Sequence, residues 1–389
     1  MRILFTFVGG HGHFEPLVPI ARAAGVAGHA VAFGCAPAMA SMVEAAGFPA
    51  SAIGTSTNSA PERIALRPLD SEREDRHLRE RFARRAAEQR VPPTITLCRE
   101  WQPDVLVCDE TDFGSMIAAE RLGLPYATVL VIAAGSFVRT AVVGEALGEL
   151  RTRHGLRPDP ELEMLSRYLV LSPFPPSLRD PAHPLPQTAY TFRSSQPGSR
   201  ESPAPAWSSA KPGAPTAYFT LGTIFNMESG DLLARVLSGL RELPINLIVT
   251  VGHDIDPEEL GPQPANVCVE RYVPQSRVLP YCDLVVSHGG SGSVIGALAH
   301  GLPSVLIPIG ADQPLNAARC ASLGVALALD ALDVTAESVR SAVAIVLDDP
   351  AYRRSAERLR DEIDALPDLA QAVALLERLA VEKRPLYSA

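Results

Sequence analysis

The chain has 389 residues, 47% hydrophobic and 20% charged, so it can bury the cores of two domains and does not have a disordered composition. Its net charge of −9 argues against non-specific nucleic-acid binding, although local donors could still hold a phosphate ligand. The six cysteines form no C-x-x-C pair, which gives no support for a zinc ribbon or a dithiol redox site and fits a reduced compartment.

The first half of the chain alternates between strand and helix patterns. The predicted elements are strands at 2–8, 29–35, 105–108 and 126–131, and helices at 14–27, 38–46 and 113–122. This alternation predicts a parallel sheet and an α/β fold. The Arg- and Glu-rich residues 61–90 interrupt it, and we interpret them as a solvated helical excursion rather than a binding patch. The first strand starts at once and no apolar run reaches membrane-spanning length, so we expect a soluble, cytoplasmic protein.

A second α/β series follows a segment rich in Ser and Pro at 194–215. Its predicted strands are 216–220, 246–251, 284–287 and 304–307, and its predicted helices are 231–243, 292–300, 314–323, 335–347 and 351–365. We therefore expect four parts, namely an N-terminal domain at 1–195, a linker at 196–215, a second domain at 216–367 and a C-terminal helical segment at 368–389 that could pack on the first domain. Ligands of such sheets bind at the carboxyl ends of the strands, so the residues after each strand are considered first.

The loop after the first strand carries a candidate general base. His13 lies in Gly9-Gly-His-Gly-His-Phe-Glu-Pro16, at a strand-to-helix junction where a neutral imidazole could take a proton from a hydroxyl. A histidine that only closes the turn is an equal alternative, and His11 is a weaker candidate. Asp109 follows the strand at 105–108 and could orient His13, or it could cap the helix at 113–122.

A glycine-rich loop after the strand at 284–287 has the form of a diphosphate site. In His288-Gly-Gly-Ser-Gly-Ser293, backbone N–H groups and a helix N-terminus could hold an anion, and Ser291, Ser293 and His288 could add donors. The P-loop pattern is absent, and the loop does not match G-x-G-x-x-G, so an NTPase is disfavoured and a nicotinamide enzyme has low support. Asp312 and Gln313 end the next strand and could bind vicinal hydroxyls, although Asp312 could equally cap a helix.

Together these motifs resemble the family 1 nucleotide-sugar glycosyltransferases with the GT-B fold, two Rossmann-like domains facing across a cleft. The similarity is greatest to bacterial enzymes that glycosylate natural products. It runs from Met1 to about Gly324, and its most specific part is the stretch at 271–316.

The resemblance implies a role for each matching residue. His13 would be the general base and Asp109 its partner. No acidic cluster in the sequence resembles a divalent-metal site, so we expect no metal or other cofactor. The diphosphate would bind at Thr223, His288, Gly289, Gly290, Ser291 and Ser293, the nucleobase at Tyr272, Val273 and Gln275, and the sugar at Asp312 and Gln313. Many relatives have Trp where Tyr272 stands, which leaves uracil or thymine open.

The implied reaction is an inverting transfer of a hexose or deoxyhexose from TDP or UDP to a small, largely apolar acceptor, in secondary metabolism such as antibiotic biosynthesis. The alternatives are an epimerase or hydrolase of the same fold and a catalytically silent partner of another transferase. The sequence leaves open the sugar, the acceptor, the linkage type and whether the chain forms a homodimer.

Overall fold

The computed structural model describes residues 1–55, 63–194, 211–222 and 225–388, which fall into two compact units. The first unit comprises Met1–Asn58, Ser71–Ser195 and Leu366–Ala389, and the second comprises Ser59–Asp70 and Gln196–Ala365. Most of the linker expected at 196–215 lies outside the described residues.

The first unit is built on a parallel sheet of seven strands in the order β3-β2-β1-β4-β5-β6-β7. The strands are β1 (Arg2–Thr6), β2 (Ala30–Cys35), β3 (Ala50–Ala52), β4 (Val105–Asp109), β5 (Tyr126–Val129), β6 (Leu169–Ser172) and β7 (Ala189–Thr191). Successive residues of β1 enter two different apolar clusters, with Ile3 and Phe5 in one and Leu4 in the other. Both faces of the sheet are therefore covered, which is why its central strands are almost continuously hydrophobic.

Helices of the first unit flank this sheet, and two of the segments predicted from sequence, 14–27 and 61–90, differ from the structure. They are α1 (His11–Phe14), α2 (Val18–Val26), α3 (Ala40–Ala45), α4 (Ser71–His77), a π-helix (Leu78–Ala86), α5 (Ala87–Trp101), α6 (Phe113–Leu122) and α7 (Thr140–Arg153). The helix predicted at 14–27 is interrupted because Pro16 and Pro19 lack the N–H that a continuous helix needs. The prediction of a solvated excursion at 61–90 is wrong for its second half, since Leu78 and Ala83 are buried in the core.

A parallel sheet of six strands forms the second unit, in the order β10-β9-β8-β11-β12-β13. The strands are β8 (Thr216–Thr220), β9 (Asn246–Thr250), β10 (Val267–Glu270), β11 (Leu284–Ser287), β12 (Ser304–Leu306) and β13 (Ala326–Ala328). Its helices are α8 (Leu232–Leu240), α9 (Gln275–Val278), α10 (Ser291–Ala299), α11 (Gln313–Ser322), α12 (Ala336–Asp348) and α13 (Pro350–Asp364). The α/β fold of two Rossmann-like units is the one expected from the sequence.

Two segments belong to a unit other than the one in which they lie along the chain. Residues 59–70, assigned to the first domain from sequence, group with the second unit, where the Ile64 N–H donates to the Met227 carbonyl at 2.8 Å and Leu66 packs on the core. The last helix, α14 (Leu369–Glu382), packs against α2 and places Leu376 and Leu379 in the core of the first unit. Apolar contact decides both assignments, and chain order does not reveal it.

Candidate active site

The loop after β1 is shaped around the ring of His13. Gly9 has φ +105°, a conformation that favours glycine, and a Cβ built on it would lie 2.6 Å from His13 Cδ2. The loop then turns into α1, whose third residue is His13. Glycine is therefore needed here both for the turn and for the close approach of the backbone to the imidazole.

Asp109 reaches the same imidazole from the end of β4, the neighbour of β1 in the sheet. Its carboxylate is fully buried, with Oδ1 3.3 Å from His13 Nδ1, and Oδ2 accepts from the Val8 N–H at 2.7 Å. Burial alone would raise the pKa of Asp109, but the charge and hydrogen bond of His13 and the hydrogen bonds from Thr111 and Val8 outweigh it, so the pKa is lowered. Asp109 is thus an anion beside His13 at neutral pH.

Thr111, which the sequence analysis did not identify, completes this arrangement. Its hydroxyl donates to Asp109 Oδ1 at 2.6 Å and lies 3.2 Å from His13 Nδ1. Two acceptors, Asp109 Oδ1 and Thr111 Oγ1, therefore share His13 Nδ1, which fixes the proton on Nδ1 and leaves the lone pair on Nε2. The His13 side chain is 21% exposed, so a ligand can reach this ring.

The alternative of Asp109 as a helix cap is not the arrangement in the structure. Asp112 occupies the N-cap of α6 and accepts from the Ser115 N–H. Its carboxylate also forms a buried, bidentate ion pair with Arg90, at 2.8 and 2.7 Å. Because Asp112 supplies the cap, Asp109 is left to bind His13.

Glu110, between Asp109 and Thr111, is a second buried carboxylate. Its Oε1 accepts from the N–H groups of Val131 and Ile132 at 2.6 and 2.7 Å, which holds the loop after β5. Burial raises the pKa of Glu110 to about 7, against the lowering effects of Arg179 and of these two N–H groups.

We expect the stability of the protein to fall between pH 4.5 and 7 because of Glu110. The folded-state pKa lies above the ordinary 4.5, so stabilisation by protonated Glu110 is complete below pH 4.5 and is lost as the pH rises to about 7. Glu110→Gln keeps the acceptor without the charge and should remove on the order of 2 kcal/mol of this decline. Urea unfolding at pH 5 and pH 8 measures it, with exposed Glu145→Gln as the control. Equal declines in Glu110→Gln and wild type would contradict the assignment.

The second candidate site lies at the carboxyl end of β11 and the start of α10. Gly289 has φ +82°, and Gly290 at the N-cap of α10 offers no side chain to the N–H groups of the first turn. His288 is buried, a Cβ on Gly290 would lie 2.5 Å from its Nε2, and burial lowers its pKa to about 4. Its Nδ1 has no hydrogen-bond partner within the described parts of the chain. A neutral imidazole with an unused nitrogen thus lies at a helix N-terminus, where anions bind.

Asn316, which the sequence analysis did not single out, contacts both Ser291 and Asp312. The Ser291 hydroxyl donates to Asp312 Oδ2 at 2.7 Å, and Asn316 Nδ2 donates to the same oxygen at 2.8 Å and to the Gly289 carbonyl at 3.0 Å. Asp312 starts α11 but makes no side-chain capping bond. The spacing Asp312-x-x-x-Asn316, one helical turn, is the sequence signal that could have identified Asn316.

Two other predicted site residues, Gln313 and Gln275, form hydrogen bonds within this unit. Gln313 is 1% exposed, and its Oε1 accepts from the Ile309 and Gly310 N–H groups at 2.8 and 3.2 Å. Gln275 Nε2 donates to Ser293 Oγ at 3.2 Å, which ties α9 to α10.

Tyr272 and Val273 follow β10 at the same edge of the sheet. The Tyr272 ring is 44% exposed and stacks on His253, with centroids 4.7 Å apart at 26°. Val273 packs on a core cluster, so Tyr272 is the residue of this pair whose side chain is exposed to a ligand. Thr223 lies outside the described residues.

Within the described ranges, no group of three or more His, Cys, Asp or Glu side chains could hold a metal ion. Every helix there is too short or too polar to cross a membrane.

Comparison with known proteins identifies the family to which this chain belongs. Residues 234–379 match the family model "Erythromycin biosynthesis protein CIII-like, C-terminal domain". Tylactone mycaminosyltransferase of Streptomyces fradiae is 30% identical over 99% of this chain and 93% of its own length. 4'-Demethylrebeccamycin synthase of Lentzea aerocolonigenes is 30% identical over 97% of this chain and 99% of its own.

Solved structures agree with these sequence relatives. The glycosyltransferase VinC in complex with dTDP is 25% identical, with a TM-score of 0.77, over 98% of this chain and 100% of its own. The spinosyn rhamnosyltransferase SpnG complexed with thymidine diphosphate is 25% identical, with a TM-score of 0.79, over 97% of this chain and 100% of its own. The chain belongs to the bacterial natural-product glycosyltransferases of the GT-B fold, enzymes that use a nucleoside-diphosphate sugar.

Proposed function

We propose that this enzyme transfers a hexose or deoxyhexose from a TDP-sugar, with inversion, to a small and largely apolar natural product. His13 serves as the general base. The observation that carries this proposal is the shared hydrogen bonding of His13 Nδ1 by Asp109 and Thr111, which leaves Nε2 as an acceptor for the proton of a substrate hydroxyl.

In the proposed reaction the acceptor oxygen forms a bond to the anomeric carbon as the bond from that carbon to the β-phosphate oxygen breaks. The acceptor proton moves to His13 Nε2, and the bonding electron pair leaves with TDP. The imidazolium is stabilised by the anionic carboxylate of Asp109, 3.3 Å from Nδ1.

Negative charge develops on the leaving diphosphate and must be stabilised. We assign the diphosphate to the start of α10. The helix dipole, the first-turn N–H groups and neutral His288 can all face an anion. Ser291 can turn its hydroxyl from Asp312 to a phosphate oxygen. Asp312 would then accept from a sugar hydroxyl, and Gln313 could donate through its amide nitrogen, because its oxygen is engaged.

We assign the nucleobase to the exposed ring of Tyr272, since a pyrimidine can stack on it. The choice of TDP over UDP is supported by the thymidine diphosphate bound in VinC and SpnG, and the choice of a deoxysugar by the mycaminosyltransferase and rhamnosyltransferase relatives. The choice of a natural-product acceptor is supported by the name of tylactone mycaminosyltransferase, which names an aglycone.

Acceptor-dependent release of TDP tests the proposal. Purified enzyme is given a TDP-deoxysugar and a panel of polyketide aglycones, with and without EDTA, and products are followed by mass spectrometry. We expect glycosylated aglycone at the same rate in EDTA, because helix N-terminus and His288 take the place of a cation. Donor consumption without an acceptor would favour a hydrolase or epimerase instead. Loss of transfer in EDTA with recovery on Mg²⁺ would contradict metal independence.

A further inference from the structure

The ring of Phe82 lies against the proposed base. Its centroid is 6.0 Å from that of His13, with an interplanar angle of 26°, which is an offset-stacked arrangement. His77 contacts the same Phe82 ring, at 6.0 Å and 35°. Phe82 is half-buried and packs on the core cluster that contains Leu78 and Ala83.

The backbone that presents Phe82 is unusual. Residues Leu78–Ala86 form a π-helix between α4 and α5, a form that is rare and is frequently found at functional sites. Leu78 and Ala83 anchor it in the core, and Arg84 binds Glu149 of α7 at 2.9 Å. The π-helical turn is thus fixed on two sides, so Phe82 has a defined position.

The bonds to Asp109 and Thr111 both meet the His13 ring at one atom, Nδ1. Gly9 lies against the Cδ2 edge, and Phe82 stacks on the ring. Transfer of a proton to Nε2 requires the ring plane to be held, because misplacement of a base lowers the rate steeply.

We propose that Phe82 is a positioning residue, which holds the His13 imidazole in plane for proton transfer and stabilises the imidazolium through its aromatic face. The inference rests on the proposed role of His13 as the base. An aromatic face within about 6 Å of a cation attracts it, and the loss of such a contact at a partly exposed site is typically worth about 2- to 5-fold.

Replacement of the ring tests this role. We expect Phe82→Leu to lower kcat by on the order of 10-fold, the product of the factors for lost cation–π attraction and lost orientation, with an unchanged Kd for TDP. Phe82→Trp should restore most of the activity. Phe48→Leu is the matched control, because Phe48 is also half-buried in this unit but packs on Phe33.

The pH profile of kcat/KM gives a readout that a purely structural role would not move. Removal of the ring makes the imidazolium less stable, so the acidic limb of Phe82→Leu should shift to lower pH by about half a unit. Asp109 is unchanged in this variant, as are His77, whose ring contacts Phe82, and Arg81, which lies 3.5 Å from His77 Nε2.

The possible failures are distinguishable. Full activity in His13→Ala would remove the proposed base itself. An inactive His13→Ala together with normal kcat and an unshifted limb in Phe82→Leu would overturn the inference and leave the base in place. Equal losses in Phe82→Leu, Phe82→Trp and Phe48→Leu would also overturn it, since packing alone would then explain them.

Discussion

His13→Ala is expected to lower kcat by about 10²–10⁴-fold, the usual contribution of a general base, and to leave TDP binding unchanged. The reason is that the alanine variant loses the only proposed proton acceptor but none of the groups at α10. Asp109→Asn should give a smaller loss, because the amide can still accept at Nδ1 but cannot stabilise the imidazolium by charge. Steady-state transfer assays and calorimetric titration of TDP measure the two effects separately.

A second His–carboxylate pair in the same unit supplies the control. His29 Nε2 lies 2.9 Å from Glu377 Oε1, joining the start of β2 to α14, and has no place in the proposed reaction. His29→Ala should therefore keep the wild-type kcat. Wild-type turnover in His13→Ala, or an equal loss in both variants, would refute the assignment of the base.

His288→Ala is expected to weaken TDP binding by about 10- to 100-fold, the range for losing a hydrogen bond to a charged group. Burial lowers the pKa of His288 to about 4, so the free protein at pH 7 presents a neutral ring that donates one hydrogen bond to the diphosphate. His288→Gln retains a donor and should lose less than the alanine variant.

His300 is the matched control for this prediction, because it lies at the opposite end of the same helix α10 and bonds to the Gly296 carbonyl at 3.0 Å. His300→Ala should bind TDP as the wild type does. If His288→Ala and wild type had the same Kd, the diphosphate would have to bind elsewhere.

Sequence patterns predict those parts of this enzyme that depend on the succession of strands and helices along the chain. The alternation of apolar strands with helices predicts both sheets, and a residue that follows a strand, such as His13, Asp109 or His288, reaches the carboxyl edge by topology alone. The choice between Asp109 and Asp112 as the cap of α6 could not be made locally. It depends on Arg90, which is distant in sequence and buried against Asp112 in the fold.

The contacts that complete the site are long-range, and this explains why they were missed. Phe82 stands in a segment with so many charges that it suggested a solvated helix, yet Leu78, Ala83 and Arg90 are buried. Thr111 has no periodic or motif signal, and its role appears only when β1 and β4 pair and bring His13 and Asp109 together. Pairing and burial supply this information, which single residues and their spacing do not carry.

Calorimetric titration of the wild-type enzyme with TDP, UDP, GDP and NADH, in EDTA, tests the central claim most directly. The proposed donor site predicts that TDP binds at one site per chain without a metal, that UDP binds more weakly, and that GDP and NADH bind little or not at all. Absence of TDP and UDP binding to well-folded protein would contradict the proposed donor site, and NADH binding in their place would favour an oxidoreductase.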